Sequence, residues 1–397
     1  MADTAPAEWI NYLYEIYFQG LAGETPDYPI DFELLHAGAK EQLDEGAYGY
    51  VAGAAGLEST LRANRRAFDR WEIWPRTMVD ISERFTATEV LGTALPAPLL
   101  LAPVGVLSIV HERGEVEVAE GAASVGVPIV LSTAASNTIE DVADAMGEVP
   151  RWYQLYWPDD RELTKSFVQR AEEAGFEAIV VTVDTKLIGW RPVDLRTAYL
   201  PFLQGEGIAN YTSDPVFRDA VEGDIDEDPQ AAIGHWVNVF SDHSVDWDDL
   251  VWLRDETDLP IVLKGVLHPE DARLAQEHGA DGIVVSNHGG RQVDGSVGAL
   301  DVLPEIAEAV PEMTLLFDSG IRSGADIYKA LCLGASAVLL GRPYVWGLGL
   351  GGADGVRHVL RTILAEFELT MALTGATRLE DLGPERLRPA PGYHGRD

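Results

Sequence analysis

A chain of 397 residues with 46% hydrophobic content can bury a large core, and its single cysteine, Cys332, excludes an internal disulfide and a cysteine-based metal site. Its 65 acidic against 29 basic side chains give a net charge of −36, with lysine only at positions 40, 165, 186, 264 and 329. Nucleic acid and anionic membrane surfaces are therefore excluded as partners, because phosphate contacts need clustered Lys or Arg.

No apolar run of about 18 residues exists to span a membrane. Residues 1–8 lack the basic and apolar regions of a secretory signal, so a cytoplasmic chain is expected. The acids are spread along the chain rather than blocked. That favours a solvated acidic surface suited to concentrated salt over a patch for a cationic partner, since screening shortens to about 3 Å at 1 M.

In chain order, residues 1–95 form an N-terminal helical extension. It is expected to hold helices around 32–43 and 58–70 and to cap the flank of the following domain. From 96 to 380, short β-branched apolar runs recur at 99–103, 129–133, 152–156, 178–184, 261–265, 283–286, 315–318 and 338–341. Helical patterns lie between them, at 161–174 and 304–309 and in a helix opening at Pro269. Eight continuous apolar strands alternating with helices predict an α/β protein with a parallel (β/α)8 barrel. Cys332 falls on a helix face that reads as buried, so inert packing is expected of it. One gap is much longer than the others. Within it, residues 200–242 are rich in Gly, Pro and acids, and an insertion after the fourth strand emerges at the face where barrel chemistry occurs, as a lid.

The sixth strand runs into Ser286-Asn287-His288-Gly289-Gly290-Arg291-Gln292. An imidazole and a guanidinium three residues apart, with two glycines between them, suit proton removal from a substrate that carries a carboxylate. Other strand ends carry Ser132, Gln154, Tyr156, Thr182, Asp184, Lys264, Asp318 and Arg342. Lys264 closes an apolar strand, so it either is buried in a pair or faces a ligand anion. After the last two strands, Asp318-Ser319-Gly320-Ile321-Arg322 and Gly341-Arg342-Pro343 resemble a phosphate pocket. A literal G-x-G-x-x-G at Gly347, Gly349 and Gly352 does not follow a strand directly, so a dinucleotide site is rejected.

These pieces together resemble the FMN-dependent α-hydroxy-acid oxidising family, over residues 31 to 382. Ala102 to Gly105, Tyr153 to Tyr156, Thr182 to Thr185 and Lys264-Gly265 belong to the same resemblance. Within the family the chain is most similar to the lactate 2-monooxygenase branch, through residues 14–21, 189–195, 210–217 and 341–347. The resemblance implies FMN as cofactor, no metal, and a small 2-hydroxy acid with O2 as substrates. It also implies a homotetramer or homo-octamer.

By the same resemblance His288 is the base and Asp184 its orienting carboxylate, while Lys264 stabilises charge on the flavin. Arg191, Arg291, Tyr50 and Tyr156 hold the substrate. Pro103, Val104, Gly105, Ser132, Gln154, Thr182 and Ser286 line the flavin ring. Asp318, Ser319, Gly320, Ile321, Arg322, Gly341 and Arg342 hold the remainder of the cofactor. A small Ala134, where glycolate oxidase places a bulky aromatic, favours lactate over glycolate. The expected reaction is L-lactate with O2 to acetate, CO2 and water. The alternatives are a lactate oxidase or acceptor-linked dehydrogenase giving pyruvate, and a flavin-dependent isomerase.

Overall fold

A computed structural model describes residues 5–391; the first four residues of the 1–95 extension, and part of the leader read for a signal, lie outside the described residues. Eight parallel strands close into a barrel in sequence order. They are β1 (Leu99–Leu101), β2 (Ile129–Ser132), β3 (Arg151–Leu155), β4 (Ile179–Thr182), β5 (Ile261–Val266), β6 (Gly282–Val285), β7 (Thr314–Phe317) and β8 (Ala337–Leu340). β8 pairs back onto β1 through Val338–Leu99, Leu339–Leu100 and Leu340–Leu101. The expected (β/α)8 barrel is the observed fold.

The strands are apolar on both faces because each face meets a different core. Leu100, Val130, Trp152, Val180, Val262, Val284, Leu316 and Leu339 fill the barrel interior. Their neighbours Leu101, Leu131, Tyr153, Val181, Leu263, Val285, Phe317 and Leu340 pack outward against the helices. Side chains alternate with a period of two, so each inward position is followed two residues later by another. That step converts the interior column into Ser132, Gln154, Thr182, Lys264, Ser286 and Asp318 at the upper end. Register agrees, since Ser132 pairs with Gln154 and Thr182 with Lys264. The barrel is thus apolar below and polar at its carboxyl mouth.

A hairpin of Thr88–Val90 and Thr93–Leu95 plugs the opposite end. Its turn residues Leu91 and Gly92 both take positive φ (50° and 85°), as a two-residue hairpin turn requires. Val90 and Leu95 join the interior core, and Trp152 Nε1 donates to Thr93 Oγ1 at 2.9 Å.

The extension holds four helices, α1 (Asn11–Leu21), α2 (Phe32–Gln42), α3 (Glu45–Ala52) and α4 (Ser59–Asp69). Two of these match the expected pair. α3 carries Tyr50 and Val51 to the cavity at the barrel mouth, so the extension also contributes to that cavity. The helix expected at 304–309 begins earlier, at Ala299, with Pro304 inside it.

Residues 200–242 fold as short helical pieces, including Ala209–Thr212, Pro215–Ala220 and Pro229–Val239. They share an aromatic core in which Phe202 stacks on Trp236 at 4.7 Å and Trp236 meets Phe240 at 4.8 Å. The G-x-G-x-x-G lies inside the long helix Arg342–Thr374, which kinks at Gly351 and Gly352. A Cβ at Gly355 would meet the Gly347 carbonyl oxygen at 2.0 Å, so the glycines serve the close approach at the kink rather than a phosphate. Among the described residues no helix is long and apolar enough to cross a membrane.

Candidate active site

The polar layer at the carboxyl mouth opens into a cavity lined by residues from both the barrel and α3. On one wall, His288 Nδ1 lies 3.0 Å from Asp184 Oδ1, and Thr185 Oγ1 donates to the same oxygen at 3.0 Å. With Nδ1–H donated to a carboxylate, Nε2 keeps its lone pair. Burial pushes the imidazole pKa down and Asp184 opposes that, leaving it below the ordinary histidine value. For Asp184, burial acts upward but is outweighed by His288 and Lys264, so the carboxylate stays ionised.

The backbone holding His288 is unusual. His288, Gly289 and Gly290 all take positive φ (57°, 65° and 79°), a conformation that costs a non-glycine residue on the order of 1 kcal/mol. Asn287 offsets this by accepting from Gly290 N–H at 3.0 Å and pairing both ways with the buried Asn64 of α4. Ser319 Oγ accepts from the N–H groups of Asn287 and Gly289. A Cβ at Gly290 would lie 2.7 Å from the Leu61 backbone nitrogen, which accounts for glycine there. Asn64 was not among the residues expected at the site, and nothing local marks it.

Lys264 forms the floor. It is 4% exposed, and its Nζ reaches Asp318 Oδ2 and Ser286 Oγ, each at 3.2 Å. Burial alone would lower its pKa; Asp318 and Asp184 reverse that, so it stays charged. β5 bulges at Gly265, whose φ of 110° and missing Cβ let Asp184 approach; a Cβ there would sit 2.6 Å from the Asp184 side chain. Ser132 Oγ donates to Gln154 Oε1 at 3.0 Å, while Gln154 Nε2 is buried without a protein partner.

Four arginines face the cavity: Arg191, Arg291, Arg322 and Arg342. Arg291 donates to the carbonyls of Tyr50 and Gly53 and lies 4.9 Å over the Tyr50 ring. Arg342 donates to the carbonyls of Val51, Gly289 and Gly53, bracing α3 against the histidine loop. Burial and mutual repulsion push Arg291 and Arg342 down to about 9 and Arg322 to about 10. Among the described residues none of the four forms an ion pair with a carboxylate, and bound anions would offset their buried charge.

The cavity is lined by Tyr50, Pro103, Val104, Gly105, Ser132, Tyr156, Arg191, Lys264, His288, Arg291, Asp318, Ser319, Gly320, Ile321, Arg322, Gly341 and Arg342, all anticipated from the sequence. Four anticipated residues do not line it. Asp184 and Ser286 stand behind His288 and Lys264, Gln154 stands behind Ser132, and Thr182 pairs in register with Lys264 in the polar layer. Ala134, Ile188, Leu200, Phe202 and Phe240 add an apolar wall, three of them from the insertion or its edges. The residues present fit a flavin mononucleotide: the unpartnered Gln154 amide and buried Lys264 suit a ring rich in acceptors, and the arginine cluster suits its phosphate. Among the described residues, no three His, Cys, Asp or Glu side chains are grouped to hold a metal ion.

Residues 39–389 match the model of the FMN-dependent dehydrogenase family. An FMN-dependent alpha-hydroxy acid dehydrogenase of Penicillium citrinum is 44% identical over 96% of each chain. An L-lactate oxidase of Lysinibacillus sphaericus is 43% identical over 93% of this chain and 95% of its own. The crystal structure of a mandelate oxidase superposes with a TM-score of 0.81 at 37% identity, covering 92% of this chain and 100% of that one.

Proposed function

The chain belongs to the FMN-dependent dehydrogenase family and carries out FMN-dependent oxidation of 2-hydroxy acids, and we propose that its substrate is L-lactate, converted with O2 to acetate, CO2 and water. The observation that carries this reading is His288, backed by Asp184 at 3.0 Å, facing one cavity with Arg191, Arg291 and a short apolar wall.

Arg191 and Arg291 hold the substrate carboxylate, and Tyr50 and Tyr156 orient its oxygens. Ala134, with the insertion residues Leu200 and Phe202, leaves room for a methyl group on the α-carbon. His288 Nε2 takes the proton released as the alcohol carbon is oxidised, and Asp184 stabilises the imidazolium that forms. Lys264 keeps a fixed positive charge on the floor, which favours electron transfer into the cofactor. FMN, when bound, supplies the two-electron acceptor and the route by which those electrons reach O2. Phe202 and Phe240 close the apolar side and retain pyruvate long enough for peroxide to decarboxylate it. Arg322 and Arg342, with Gly320 and Gly341, hold the cofactor phosphate.

A second reading has its own support, since the relatives include L-lactate oxidases at 43% and 42% identity. On that reading pyruvate and hydrogen peroxide leave separately. Anaerobic mixing of FMN-loaded protein with L-lactate tests what both readings share: the yellow absorbance should bleach within one turnover. His288→Gln should keep FMN bound yet lose bleaching by a factor of at least 100, and retained bleaching contradicts the base assignment.

A further inference from the structure

Gln292 ends the histidine loop, and its side-chain amide makes four hydrogen bonds within one short stretch of chain. Nε2 donates to the carbonyl of Asp184 at 2.8 Å and to that of Leu187 at 2.9 Å. Oε1 accepts from Gly189 N–H at 3.3 Å and from Arg191 Nη2 at 3.0 Å. Both donors and both acceptor sites are used, and a flipped amide would set its NH2 against the guanidinium, so the orientation is fixed by chemistry.

The four partners span residues 184 to 191, the loop after β4. That loop begins with the carboxylate beside His288 and ends with Arg191, which also donates through Nε to the carbonyl of Arg291 at 3.2 Å. The loop is pressed close at its centre: a Cβ at Gly189 would lie 2.4 Å from the Arg291 carbonyl oxygen and 2.8 Å from that of Gln292. Arg191 is 7% exposed and has no carboxylate among its hydrogen-bond partners, so the neutral amide orients its fork without cancelling its charge.

We infer that Gln292 is a positioning residue for substrate binding: it aims Arg191 at the substrate carboxylate while tying that arginine's loop to Asp184. The inference rests on the carboxylate reading given under Proposed function. A carboxylate or a lysine at this position would defeat it, the first by neutralising Arg191 and the second by repelling it.

The probe is oxalate, a small carboxylate that is not oxidised here, titrated into FMN-loaded protein and followed by the perturbation of the flavin spectrum. Gln292→Met keeps the packing volume and removes all four bonds. Its oxalate Kd and its KM for L-lactate should each rise tenfold or more, with kcat falling by a smaller factor and FMN content unchanged. In an Arg191→Ala background, where the arginine to be aimed is gone, Gln292→Met should change the oxalate Kd by less than threefold. Gln292→Glu gives an independent readout: weak oxalate binding at neutral pH that recovers as the new carboxyl is protonated. Oxalate binding by Gln292→Met within twofold of the parent, or an equal loss in the Arg191→Ala background, overturns the inference. If the parent protein binds oxalate normally, that result leaves the carboxylate reading standing; if the parent binds no oxalate and oxidises no lactate, both fall.

Discussion

His288 is fixed from two sides, by a carboxylate on Nδ1 and by a left-handed backbone that Asn287, Asn64 and Ser319 support. Burial holds its pKa below the ordinary value of about 6.5, so the neutral base prevails at lower pH than for a free imidazole. The acid limb of kcat/KM is therefore expected below pH 6.5, and a limb at 7 or above contradicts it. Asp184→Asn should lower kcat by a factor on the order of 10² to 10⁴, through loss of orientation and of imidazolium stabilisation. Away from the chemistry, buried Glu115 accepts from the N–H groups of Leu107 and Ser136, and burial raises its pKa from 4.5 to about 7. A raised carboxyl contributes stability that is complete below its unfolded pKa and is lost as pH rises through about 7. The loss is on the order of 3 kcal/mol. The melting temperature of Glu115→Gln relative to the parent should accordingly improve from pH 6 to pH 8; a pH-independent difference contradicts the assignment.

At the scale of elements, the 200–242 insertion is where structure adds most to the sequence reading. Its acids and prolines look like loop composition, yet Asp214-Pro215 and Asp228-Pro229 each place a capping carboxylate directly before a proline at the first helical position. That start signal was present in the sequence; the aromatic core of Phe202, Tyr211, Phe217 and Trp236 that stabilises such short helices was not. Trp236→Ala should destabilise the insertion by about 3 to 5 kcal/mol and shift turnover toward free pyruvate and peroxide, as judged by product analysis. Unchanged partitioning removes the insertion from the account of product retention. The barrel was legible because its strands are continuous apolar runs at even spacing. The plug hairpin was not, since three-residue strands are too short to show a period. α3, with Gly46 and Gly49 in eight residues, reads poorly as a helix; a Cβ at Gly49 would lie 2.7 Å from Val193, so those residues serve packing rather than propensity. Asn64 was invisible because its partner lies 223 residues away.

At the scale of the whole molecule, charge is distributed in opposite senses. The chain carries −36 overall, while Arg191, Arg291, Arg322 and Arg342 converge on one cavity. Several other arginines are spent on ion pairs, such as Arg170 between Glu140 and Asp214 and Arg84 on the buried Glu368. Self-repulsion among the remaining acids should make the fold salt-dependent. The melting temperature is expected to rise by several degrees between dilute buffer and molar KCl. A flat response contradicts that expectation. The same contrast repels anions from most of the surface and attracts them at the mouth, in keeping with a carboxylate substrate.

On the proposed monooxygenase reading, lactate is oxidised at His288 and pyruvate is retained beneath the 200–242 insertion. Aerobic turnover of L-lactate by FMN-loaded protein in molar salt, with acetate and CO2 quantified against pyruvate and peroxide, tests it most directly. Acetate and CO2 in equal amounts are the expected main products. Pyruvate matched by an equal amount of peroxide contradicts it.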